Sequence, residues 1–78
     1  MSKYDYNDYI HAFTNDNGEV RFAVCVWDEK SGEYYLPMND EERRLTGCSA
    51  YFAKTLEGIG GYKTRVKARY EAKKRFEL

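Results

Sequence analysis

Seventy-eight residues leave room for one domain and one modest core, near the lower limit at which a chain folds without metals or disulfides. An apolar content of 42%, with thirteen aromatic side chains, argues against disorder, and no apolar stretch is long enough for a signal peptide or a membrane span. The net charge of zero hides a segregation: residues 1–60 carry 6 Lys and Arg against 11 Asp and Glu, and residues 61–78 carry 7 against 2. Such a dipole bears on partners and association rates rather than on fold.

Residues 1–8 are polar and rich in Tyr, Asp and Asn without a period, which predicts a loosely held arm. Tyr9 to Thr14 is short, aromatic and β-prone, and Asn15-Asp16-Asn17-Gly18 follows as a strong hairpin signal. From Glu19 to Asp28 the chain alternates, Val20, Phe22, Val24 and Val26 on one face and Arg21, Ala23, Cys25 and Trp27 on the other. A second turn, Glu29-Lys30-Ser31-Gly32, leads into Glu33 to Met38, where Pro37 restricts the strand to an edge or marks its end. Residues 9–38 thus predict a three-stranded antiparallel meander.

Helix signals begin at Asn39, an N-cap with Glu42 three residues on, and Asp40, Glu41 and Glu42 suit the positive end of the helix dipole. Leu45, Cys48, Phe52 and Leu56 recur at helical spacing, so the pattern predicts a helix over 39–57 with Gly47 inside it and Gly58 at its end. Gly58-Ile59-Gly60-Gly61 forms a turn, and a second, basic helix is predicted over 62–77 with Tyr62, Val66, Tyr70 and Phe76 on its broad apolar side. The resulting fold class is α+β, in the order β-β-β-α-α, within a single domain spanning 1–78.

Two cysteines, Cys25 and Cys48, match no metal or redox spacing. They read as buried reduced thiols, with a disulfide as the alternative. His11 stands alone between Tyr9 and Phe13, with no nucleophile at motif spacing, and reads as a structural or surface histidine. Neither a catalytic set nor a metal-ligand cluster is present, so no cofactor and no enzymatic activity are expected. Eight tyrosines exceed what a small core needs. Tyr4, Tyr6, Tyr9, Tyr34 and Tyr35, with Trp27 and Glu33, form a candidate protein interface, the alternative being tyrosines that line the edges of a thin sheet with wet hydroxyls.

Leu56-Glu57-Gly58-Ile59-Gly60 before a helix resembles the hairpin of helix-hairpin-helix modules, in which backbone N–H groups meet a nucleic-acid phosphate. The resemblance implies a second site, Gly58, Gly60, Gly61, Lys63, Arg65, Lys67 and Lys74, for sequence-independent nucleic-acid binding; the plain alternative is a helix cap and connection. From Asn17-Gly18 to Leu56 the element order is similar to the three-stranded arm-binding domains of tyrosine recombinases, although only Arg21 and Lys30 would supply basic strand residues.

Over residues 9–77, length and element order resemble small phage and mobile-element proteins of the anti-CRISPR type. That resemblance implies a non-enzymatic cytoplasmic inhibitor docking on a host nucleic-acid-handling complex, as a monomer or small homo-oligomer without membrane contact. Nucleic acid itself is the alternative partner, and a self-assembling structural component the third reading.

Overall fold

The computed structural model describes residues 6–76, and side chains from residue 8 onward. The first hairpin forms where the sequence places it. A single-turn 3-10 helix, Tyr6–Tyr9, enters β1 (Ile10–Thr14), which pairs antiparallel with β2 (Val20–Val24) from Thr14↔Val20 to Ile10↔Val24. Asn15 organises the connection, since its carboxamide oxygen accepts the N–H groups of Asn17 (3.0 Å) and Glu19 (2.9 Å).

The long alternating strand divides at Cys25. β2 ends at Val24, and β3 (Val26–Asp28) joins a second sheet, in which β4 (Glu33–Pro37) is central and β5 (Ala50–Ala53) lies on its far side. Ala23, Val24 and Cys25 are all buried, so both faces of the chain are covered at this corner. A strand passing between two layers needs that pattern rather than alternation. The Cys25 N–H donates to the Tyr9 carbonyl at 2.9 Å, and the His11 ring Nε2 lies 3.1 Å from the Cys25 carbonyl, so the corner is anchored to the start of β1.

The fold is α+β with antiparallel sheets, but the predicted meander and the helix over 39–57 both require correction. The capping box forms as expected: Asn39 Oδ1 accepts the Glu42 N–H at 2.8 Å, and Glu42 Oε1 accepts the Asn39 N–H at 3.0 Å. The helix it starts, α1 (Asp40–Thr46), stops after seven residues because Gly47 takes the left-handed conformation at φ 73° and returns its N–H to the Arg43 carbonyl. Beyond it, Ala50-Tyr51-Phe52-Ala53 extends as β5, pairing with Pro37 to Tyr34. The supposed helical stripe faces no core: Leu45 is 78% exposed, Phe52 43%, and Cys48 is exposed as well. Aromatic residues beside an open strand gained more by pairing than by continuing the helix. Pro37 ends its strand as anticipated, yet that strand is the middle one of its sheet.

A short helix, α2 (Leu56–Ile59), is capped by Thr55, whose hydroxyl accepts the Gly58 N–H. Gly58 therefore lies within a helix instead of ending one. Tyr62 is not yet helical; it bridges to Phe22 through two backbone hydrogen bonds of 2.9 Å, and α3 runs from Arg65 to Phe76. Helix α3 lies on the β1–β2 hairpin through Ala68 and Ala72, which meet Ile10 and Val24 in the main core cluster, and Phe76 stacks on Tyr9 at 4.2 Å. Two alanines permit close approach of helix and sheet. Val66 and Tyr70, expected on the inner side, are 81% and 58% exposed.

The end of α3 is tied to the second sheet by one side chain. Arg75, only 6% exposed, donates Nη1 to Glu42 Oε1 at 2.7 Å and to the Pro37 carbonyl at 2.8 Å, and Nη2 to Glu42 Oε2 at 3.2 Å. Its Nε lies 3.6 Å from Glu71 Oε1, one turn back. The Arg75 guanidinium holds the Glu42 carboxyl below its ordinary value, with a backbone hydrogen bond from Asn39 adding to the effect.

Two predictions follow from these contacts. A methyl group at Gly61 would stand 3.0 Å from the Phe22 carbonyl carbon and 3.0 Å from the Phe13 ring. Gly61→Ala is therefore expected to cost about 1–3 kcal/mol in urea unfolding, and an unchanged midpoint would refute this packing. For Glu42, a folded pKa below the ordinary 4.5 means that its contribution is complete above that value and lost as pH falls through the depressed one. Glu42→Gln is expected to lower thermal stability near neutrality and to flatten its acid limb. Breaking a fully buried pair costs roughly 3–5 kcal/mol, and the 36% exposure of the Glu42 side chain puts this loss below that range.

Candidate functional site

The second sheet has two unlike faces. Its register sets Val26, Tyr35 and Phe52 side by side across three strands, and Trp27, Tyr34 and Ala53 likewise on the opposite face. The latter face turns inward. Tyr34 meets the edge of Trp27 at 4.9 Å and lies 6.0 Å from the His11 ring, while a methyl group at Gly58 of α2 would stand 3.0 Å from Ala53 Cβ. Trp27 closes the edge of this face and remains 49% exposed.

The other face carries an apolar row and an acidic row. Tyr35 and Phe52 pack their rings 5.4 Å apart, with Val26 beside them, and the next pair along the strands is Asp28↔Glu33 on the same face. Phe52 is exposed, whereas Val26 and Tyr35 are half-buried. Helix α1, which follows β4, buries none of its own residues and so provides no apolar cover. Asp28 also shapes the rim of this surface, its carboxylate accepting the Lys30 N–H and the Ser31 hydroxyl in the β3–β4 turn.

Among the sequence-predicted interface residues, the structure thus brings Tyr35 and Glu33 onto one face and places Trp27 and Tyr34 on the other. Tyr9 stacks on Phe76 within the fold. Tyr4 and the side chain of Tyr6 lie outside the described residues. The sequence pattern hides Phe52 and Val26 from this surface, because Phe52 fits a helical stripe and Val26 an uninterrupted strand. Ala50-Tyr51-Phe52-Ala53 sets its two aromatics side by side, so no alternation marked β5 in the sequence.

The glycine turn has its backbone donors occupied at most positions. Gly58 N–H goes to Thr55 Oγ1, Gly60 N–H to the Leu56 carbonyl, and Tyr62 N–H to the Phe22 carbonyl. Gly61 is set by its close approach to Phe22 and Phe13, and Glu57 Oε1 accepts the Asp16 N–H at 3.1 Å. The run thus ends α2 at Gly60, with φ 82°, and connects it to α3, rather than capping a helix at Gly58 as expected. Arg65 lies over the Phe22 ring at 4.9 Å, whereas Lys67 and Lys74 stand outward on α3, both beside the Tyr70 ring, and Lys63 is exposed ahead of the helix.

A cavity of about 280 Å³ opens where α2, β4 and the end of α3 meet, with Val24, Leu36 and Ile59 against Glu42, Tyr62 and Arg75. Glu42 pairs with both terminal nitrogens of Arg75, whose buried Nε has no hydrogen-bond partner among the described residues, and burial raises the Tyr62 phenol above its ordinary value. Among the described residues, no three His, Cys, Asp or Glu side chains come together to hold a metal ion, and no helix is long and apolar enough to cross a membrane. No protein family matches the chain, and neither the curated proteins nor the solved structures contain a match.

The two thiols differ in environment. Cys25 is fully buried, and burial pushes its thiol up to about 11, while Cys48 is exposed and free. A thiol reagent applied to the native protein near neutrality is expected to modify Cys48 and to reach Cys25 only on unfolding. Rapid reaction of both in the folded state would contradict the buried corner.

Proposed function

We propose that this chain is a small non-enzymatic binding protein that docks on a protein partner through the outer face of β3–β4–β5. The observation that supports this reading is the row Val26, Tyr35 and Phe52 with the acidic pair Asp28 and Glu33 beside it. Aromatic rings give large contact area at low entropic cost, and neighbouring carboxylates steer and orient a basic partner. The surface suits a basic groove of the kind nucleic-acid-handling proteins carry. In line with the resemblance to anti-CRISPR inhibitors, the partner proposed is a host nucleic-acid-handling complex whose groove this face occupies.

Capture from nuclease-treated host lysate tests the reading. The intact protein is expected to recover a defined complex, and Tyr35→Ala or Phe52→Asp, checked for folding by circular dichroism, to weaken it by about tenfold or more. Recovery of nothing by the folded protein, or equal recovery by both variants, would overturn it.

A further inference from the structure

Helix α3 presents a second surface of opposite sign. Its inner arc consists of Ala68, Glu71, Ala72 and Arg75, so the only carboxylate within Arg65–Phe76 is turned inward and is 8% exposed. Val66 and Tyr70, one turn apart, run along the middle of the outer arc. Lys67 and Lys74 flank them on one side and Arg69 and Lys73 on the other, all exposed. The Tyr70 ring is the focus of this face: the Lys67 ammonium lies 5.3 Å and the Lys74 ammonium 5.1 Å from its centre.

We propose that the outer face of α3 binds single-stranded nucleic acid, with a base stacked on Tyr70 and the adjoining phosphates on Lys67, Lys74, Arg69 and Lys73. Charge complementarity selects a polyanion, since four cations line this arc, two of them beside the ring, and the inward-turned Glu71 reaches only Lys67, at 3.6 Å. The ring selects an unpaired strand. A base within a duplex offers its edge, and Val66 has no donor or acceptor with which to read one, whereas an unpaired base offers the π-face that an exposed aromatic ring matches. An anionic membrane is the poorer fit, because an interfacial helix needs a broad apolar face and this arc has only Val66 and Tyr70. The site uses neither the glycine turn nor the sheet face, and it stands independently of the docking proposed there.

Fluorescence anisotropy of labelled oligothymidylate and oligouridylate of about 15 nucleotides tests the proposal, with a matching duplex and vesicles containing phosphatidylserine as separate arms. Binding to the single strands is expected to weaken roughly 50-fold between about 50 and 200 mM salt, as neutralisation of four phosphates implies. Tyr70→Ala is expected to weaken it by about tenfold, with Tyr70→Phe close to the parent. Arg69→Glu with Lys73→Glu is expected to abolish it, while Tyr35→Ala leaves it unchanged. No binding at low salt, an unaffected Tyr70→Ala, or preference for the duplex or for vesicles would each overturn the assignment; circular dichroism of every variant excludes loss of fold as the cause.

Discussion

The partly buried contact between Arg75 and Glu42 is the constraint around which the remaining pieces are arranged. Helix α3 packs on the first hairpin through two alanines, and small side chains alone leave its axial position poorly determined. The two-pronged bond to Glu42, together with the bond to the Pro37 carbonyl, fixes the end of α3 against the end of β4 and the start of α1. Two sheets that share no ladder hydrogen bonds are thereby held in one arrangement. The geometry is directional where the apolar core is permissive. Even a fully buried pair adds little net stability over a hydrophobic substitute, but removal of either partner here leaves a charge without its counterpart.

The core explains why so much aromatic surface remains outside. Its fully covered positions are occupied mainly by Ala23, Ala53, Ala68, Ala72 and Cys25, with Ile10 and Val24 as the larger members. The larger rings sit at the margins, with Tyr9 and Phe76 stacked on each other, Trp27 closing a sheet edge, and Phe52 and Tyr70 open to water. A chain of this length cannot enclose thirteen aromatic side chains. Among those left outside, the strand register sets Phe52 near acidic neighbours and the helix period sets Tyr70 among basic ones, while Trp27 and Tyr51 are exposed on the other face of the second sheet.

Charge segregation along the chain becomes segregation in space by two different means. On α3 it depends on Glu71 facing the core, where it meets Arg75 and, through its second oxygen, Lys67 at 3.6 Å. On the second sheet it depends on register, which brings Asp28 opposite Glu33 next to the apolar row. Part of the basic segment is spent internally, Arg75 on Glu42 and Arg65 on the Phe22 ring. Of the others, Lys63 is exposed ahead of the helix, and Lys67, Arg69, Lys73 and Lys74 stand on its outer arc.

The local features of this fold were legible in the amino-acid sequence because each depends on residues close together in the chain: the hairpin after Thr14, the turn before Glu33, the Asn39–Glu42 capping box, the basic terminal helix and the charge dipole. The division of the long strand at Cys25 was not, because alternation is blind to which sheet a strand joins. Nor was β5, since Leu45, Cys48, Phe52 and Leu56 suit a helical period and only the open edge of β4, remote in sequence, favoured a strand. The inward face of α3 was concealed for a related reason: alanine carries little hydrophobic signal, so Val66 and Tyr70 read as the core side although Ala68 and Ala72 fill it. Sequence alone therefore determined the hairpin turns, the Asn39 cap and the overall charge pattern. Tertiary structure decided which aromatic and charged side chains share a surface, because that depends on long-range pairing and on how closely small residues let a helix approach a sheet.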